Sequence, residues 1–160
     1  MIDEKRRLLL KCTLATGAAG LAVGAGLISV PAFAAAKPPQ WPGDAFKQKN
    51  IDAAIKALYG QSAVKSDKIE MNVPTIAENG AVVPVSVKTS LPDVTSIALM
   101  IEGNPYALAA SFTIPQGTLP YVSNRFKMRK TSDVIALVVS GGKLYSTSKN
   151  VKVTIGGCGG

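Results

Sequence analysis

Residues 81–89 read AVVPVSVKT, and their alternation decides the fold. Val83, Val85 and Val87 fall on one side of an extended chain, because successive side chains of a strand point to opposite faces. A one-sided apolar pattern of this kind belongs to a strand with one face on a core and the other in water. Pro84 has no N–H to give to a neighbour, which predicts an edge strand or a bulge.

The same texture continues downstream as short runs rich in Val, Ile and Thr, punctuated by Pro, Gly and Asn. TSIALMIEG (95–103) ends at the turn GNP (103–105). YALAASFTI (106–114) sets Tyr106, Leu108, Ala110, Phe112 and Ile114 on one face. PYVSNRFKMRK (120–130), DVIALVVSGG (133–142), KLYSTS (143–148) and KNVKVTI (149–155) follow, the last with Val151, Val153 and Ile155 turned inward. About seven short strands with turn signals between them predict a mainly β chain, an immunoglobulin-like antiparallel β-sandwich. Upstream, DAFKQKNIDAAIKALYG (44–60) predicts one N-terminal helix. Asp44 is its expected cap, Ile51, Ala54, Ile55 and Leu58 its packing face, and Gly60 its end. KPPQWPG (37–43) is a short extended linker set by three prolines.

The first residues have the three-part plan of an export signal. Lys5, Arg6, Arg7 and Lys11 form a positive head, Thr13 to Val30 is uncharged, and Ala32-Phe33-Ala34 gives the small-x-small pattern of a cleavage site. KRRLLLK (5–11) is similar to a twin-arginine motif, with Lys5 where Ser or Thr is usual and Leu9 where Phe is usual. The run is long enough to be weighed as a membrane anchor, but Gly17, Gly20, Gly24 and Gly26 dilute it. The expected division is a signal peptide over 1–34, a domain over 35–155 and a tail over 156–160. Cys12 leaves with the signal, and the protein meets the membrane only in transit.

Composition removes several classes of function. The chain has no histidine, which excludes Ser-His-Asp and Cys-His catalysis and takes away the commonest metal ligand. One remaining thiol cannot build a zinc or iron–sulfur site, so neither metal nor cofactor is expected. Residues 1–34 hold four cations and two carboxylates, so the rest has 14 Lys and Arg against 8 Asp and Glu, a net charge of +6. That favours anionic ligands or acidic partner surfaces. Basic residues are not interleaved with aromatics, so nucleic acid is not expected. In NRFKMRK (124–130), strand periodicity puts Arg125, Lys127 and Arg129 on one side. They read either as a solvated face or as a docking stripe for an acidic partner or an anionic substrate.

The chain ends VKVTIGGCGG (151–160). Three extended residues from Ile155 to Cys158 span roughly 10 Å. Gly156, Gly157, Gly159 and Gly160 give that cord no side chains and wide conformational freedom. A thiol so mounted suits presentation to other proteins' active sites, whereas a resident nucleophile needs a base, an oxyanion hole and a rigid mount. The plain alternative is an extracytoplasmic scaffold or adhesion module with a disordered end.

The Gly-Gly-Cys-Gly-Gly ending, behind a β-rich domain and a twin-arginine-like head, closely resembles the SoxY family, the sulfur-carrier subunits of the bacterial thiosulfate-oxidising Sox system. The resemblance implies an immunoglobulin-like sandwich in the periplasm that is not itself an enzyme. It implies Cys158 as the covalent attachment point for thiosulfate-derived sulfur, on a swinging arm formed by Gly156, Gly157, Gly159 and Gly160. It also implies a SoxZ-like partner in a heterodimer, oxidative loading by a SoxXA-like haem protein, hydrolysis by a SoxB-like enzyme and, where present, oxidation by a SoxCD-like dehydrogenase. A ubiquitin-like carrier that uses its terminal carboxylate also ends in Gly-Gly, but it is activated by ATP in the cytoplasm, against the export signal. N-terminal sequencing of the exported protein is expected to begin at Ala35. A chain still beginning at Met1 would contradict the cleaved signal.

Overall fold

The computed structural model describes residues 41–155. The signal expected at 1–34 and the tail with Cys158 lie outside the described residues. The elements are α1 (Gly43–Phe46), α2 (Ile51–Tyr59), β1 (Val64–Lys65), β2 (Ile69–Asn72), β3 (Ile76–Asn79), β4 (Val83–Thr89), β5 (Val94–Ile101), β6 (Leu108–Thr113), β7 (Tyr121–Phe126), β8 (Ser132–Ser140) and β9 (Lys143–Ile155). One sheet has the order β1-β9-β8-β5-β6, with β3 also on β9, and the other is β2-β4-β7. The β-sandwich read from the sequence is the fold. Two pairings depart from an all-antiparallel plan, because β1 and β3 both run parallel to β9.

Between the sheets lie Ile69, Met71, Val83, Val85, Val87, Ile97, Leu99, Ile101, Val134, Val138 and Val151, all buried. The alternation at 83–87 therefore faces the core as expected. A second core lies on the opposite face of the larger sheet, where Ala98, Met100, Leu137 and Leu144 meet Ala45 and Ala54 of the helices. Strands β5 and β8 are thus covered on both sides, which explains why IALMI and VIALVV are continuously apolar. Tyr59 closes this layer with its hydroxyl 3.0 Å from the Ser96 hydroxyl. Burial pushes its phenol pKa up, and hydrogen bonds to Ser96 and Ser111 pull the other way.

Several local expectations are corrected. The single helix is two, because the Asn50 side chain accepts the N–H groups of Asp52 and Ala53 at 2.8 and 3.3 Å and starts α2 afresh. Asp44 sits inside α1, whose cap position is Pro42. Gly60 does end α2, in the left-handed region at φ 66°. KLYSTS and KNVKVTI form one 13-residue strand, β9. A bulge in the β5–β6 pairing between Leu99 and Met100 splits the face read in 106–114. Leu108, opposite Met100, turns to the helices, whereas Phe112, opposite Ile97, turns to the sandwich core. β4 is the central strand of its sheet, but β2 stops pairing at Ser86, so Pro84 has a ladder partner on one side only, Arg125.

Leu99 is fully buried and Leu119 is 85 % exposed. Leu99→Ala is expected to lower unfolding free energy by about 2–5 kcal/mol, whereas Leu119→Ala should stay within about 0.5 kcal/mol of native. Urea unfolding midpoints check both.

Candidate functional site

The tail that carries Cys158 leaves from the end of β9, and that end is held on two sides. On one side β3 runs parallel to it, pairing Ile76 with Lys152, Ala77 with Val153 and Asn79 with Ile155. The Thr154 hydroxyl donates to the Glu78 carbonyl at 3.0 Å, and the Gly80 N–H donates to the Ile155 carbonyl at 2.8 Å. On the other side the Val153 N–H donates to the Thr131 hydroxyl at 2.9 Å. The strand is therefore fixed to its last described residue, three positions before the thiol. The inward alternation fades along it: Val151 is buried, Val153 half-buried and Ile155 68 % exposed.

Gly80 has a second bond. Its carbonyl accepts the Met128 N–H at 2.7 Å, so one residue joins the end of β9 to the basic segment. β7 ends at Phe126, which means that Arg125 alone of the three expected cations lies in the ladder. The in–out alternation nevertheless persists: Phe126 is half-buried and Met128 fully buried, while Arg125, Lys127 and Arg129 are exposed. The Asn104 side chain keeps it so, donating to the Lys127 carbonyl at 2.7 Å and accepting from the Arg129 N–H at 3.0 Å. The structure thus brings the basic stripe beside the point from which the tail departs. Sequence reasoning treated the two separately, and it missed Gly80, Asn104 and Thr131. The GNP turn marked the place of Asn104 but not its two bonds.

One other feature lies apart from this end. A groove of about 1010 Å³ runs along α2 and the outer face of β8 and β9, lined by Ile51, Ile55, Ile135, Leu137, Ser146 and Ser148. Among the described residues no group of three or more His, Cys, Asp or Glu is placed to hold a metal ion, and no helix is long and apolar enough to cross a membrane.

A family model described as "Sulfur oxidation protein SoxY" matches residues 55–158, and so includes Cys158. The chain belongs to the SoxY family. Among solved structures, it is similar to the sulfur carrier protein SoxY from Chlorobium limicola f thiosulfatophilum, with 42% identity and a TM-score of 0.61 over 66% of this chain and 97% of that one. It also shares its fold, at 18% identity and TM-score 0.52, with superoxide reductase (neelaredoxin) from Ignicoccus hospitalis, covering 59% of this chain and 98% of that one. No curated protein matches.

Thr131→Val removes the hydroxyl that accepts from Val153. The Val153 amide is expected to exchange with solvent about fivefold faster for a loss of about 1 kcal/mol, with the amides of Ile97 and Leu137 unchanged.

Proposed function

We propose that this SoxY-family protein is a covalent sulfur carrier of sulfur oxidation that works in the periplasm, with Cys158 as its attachment point. One observation carries the reading: the family match runs to residue 158 and so takes in Cys158; the strand before it is fixed at Ile155. A rigid mount followed by Gly156 and Gly157 lets the thiol reach outward while the domain stays whole. Gly159 and Gly160 add no side chain that would keep the end from a narrow active site.

The chemistry asks little of the chain itself. Loading joins the Cys158 sulfur to the outer sulfur of thiosulfate. One S–S bond forms, the thiol proton leaves, and two electrons pass to a SoxXA-like haem protein. Water then cleaves the terminal S–S bond at a SoxB-like enzyme, releasing sulfate and leaving a persulfide on Cys158. A SoxCD-like dehydrogenase, where the cell has one, oxidises that sulfur, and a second hydrolysis frees the thiol. The partner enzymes make and break these bonds, and Cys158 has only to supply the sulfur that holds the cargo. The carrier is a substrate platform for its partners and not a catalyst. A SoxZ-like subunit pairs with it, and a twin-arginine signal over 1–34 would export the folded pair.

Replacing the native chain by Cys158→Ser in thiosulfate-oxidising cells is expected to abolish thiosulfate consumption through this system. Undiminished consumption would leave a β-sandwich scaffold as the reading. Deleting Gly159 and Gly160 is expected to keep part of the activity. Complete loss with Cys158 still loaded would point to the terminal carboxylate instead.

A further inference from the structure

We propose that the segment 125–130 is an anion-binding platform for the sulfonate-bearing sulfur compounds that Cys158 takes up and carries, an inference that rests on the carrier reading above. The juxtaposition is the argument. Gly80 is hydrogen-bonded at once to Ile155, three residues before the thiol, and to Met128, in the middle of the segment. Three extended residues span about 10 Å, so a group on Cys158 can reach the side chains that flank Met128. Four of these residues are cations, Arg125, Lys127, Arg129 and Lys130, and all four are exposed.

Three of the four charges are unpaired among the described residues, and the segment is held in place. Among the described residues, Arg125, Arg129 and Lys130 form no ion pair, while Lys127 has an interaction of its own. Met128 anchors the segment in the core, and Asn104 grips the backbone on both sides of it. Glu78, Glu102 and Asp133 are the carboxylates at this end; the Asp133 carboxylate accepts from the Asn150 side chain at 2.7 Å. A sulfonate presents one negative charge over three oxygens, and a guanidinium matches two of them at once.

The same cations serve a bound sulfonate better than a broad acidic partner surface. They do not extend across the outer face of β2-β4-β7. Beyond Arg125, which sits at its corner opposite Pro84, that face holds Ser86, Ser123 and a Lys88–Glu70 pair at 3.4 Å, which together are close to neutral. The positive charge is concentrated where the tail begins.

The test uses the full chain with Cys12→Ser, so that Cys158 is the one thiol. Its rate of reaction with tetrathionate is divided by its rate with neutral methyl methanethiolsulfonate. In the first reaction the thiolate attacks a central sulfur, the central S–S bond breaks, and thiosulfate leaves with the electron pair. In the second, methanesulfinate leaves in the same way. Both consume the thiolate, so the ratio cancels its population and reports attraction of the anion. Adding Arg125→Gln, Lys127→Gln and Arg129→Gln is expected to lower the ratio on the order of tenfold, as is high salt on the unaltered segment. Arg125→Gln with Arg129→Gln, which keeps Lys127, should lose part of it. Lys65→Gln, Lys68→Gln and Lys143→Gln remove the same charge at the other end of β9 and should leave the ratio near native. An unchanged ratio in the first variant, or equal falls in the two triple variants, overturns the platform. If the ratio is unchanged while protein from thiosulfate-grown cells still carries sulfur on Cys158, the platform alone falls. If Cys158 carries nothing in those cells, the carrier reading and the platform's cargo fall together, whatever the ratio.

Discussion

Burial of the larger sheet on both faces is the constraint from which the rest follows. Ile97 and Leu99 face β2-β4-β7, while Ala98 and Met100 face the helices. A sheet covered in this way has few soft edges near its centre, and it fixes β8 and through it β9. The 13-residue length of β9 then follows from continuous pairing with β8 over Lys143–Val151 and with β3 beyond it. The strand that precedes residues 156–160 is therefore a long inner member of this sheet, with β8 on one side and β1 and β3 on the other.

That layer gives the protein a division of labour. In the carrier reading, the domain contributes a fixed origin and the five residues after Ile155 supply the reach. Gly80 ties the two loops around this origin into one unit, since it bonds both Ile155 and Met128. Neither bond uses a side chain, and each is a backbone pair of ordinary length, which suits a junction that must stay shaped while its surroundings meet other proteins. The basic residues are carried on the same unit, so their position relative to the tail's start is set by backbone geometry and not by long side chains searching for partners.

Much of this was legible in the sequence, and the failures have physical causes. The alternation at Val83, Val85 and Val87 was unambiguous because one face of β4 is wet. The doubly buried β5 and β8 were found as strands, but their apolar continuity also signalled the helix layer packed against them. Asn50 was a cap signal hidden inside a helix-period run, and only its extended backbone and its bonds to Asp52 and Ala53 reveal it. The bulge at Leu99 and Met100 leaves no mark in an alternating pattern, so Leu108 was placed on the wrong face. The sequence reading divided this strand at 148 and 149, where residues 147–150 are polar. They are polar because β1 stops at Ser146 and β3 starts at Lys152, so β9 has a ladder partner only in β8 there. β1 and β3 are too short for periodicity to show. For the site, Cys158 stood out by composition alone. The proximity of Ile155, where the tail begins, to Arg125–Arg129 depends on long-range backbone bonds that no local pattern encodes.

The central claim is that Cys158 is a covalent carrier. The most direct measurement is the intact mass of the protein recovered from thiosulfate-grown cells, before and after treatment with a reductant. The carrier account predicts reductant-labile additions of one or more sulfurs, or of thiosulfate, mapping to Cys158. A bare thiol or a simple disulfide dimer in cells that are actively oxidising thiosulfate would contradict it.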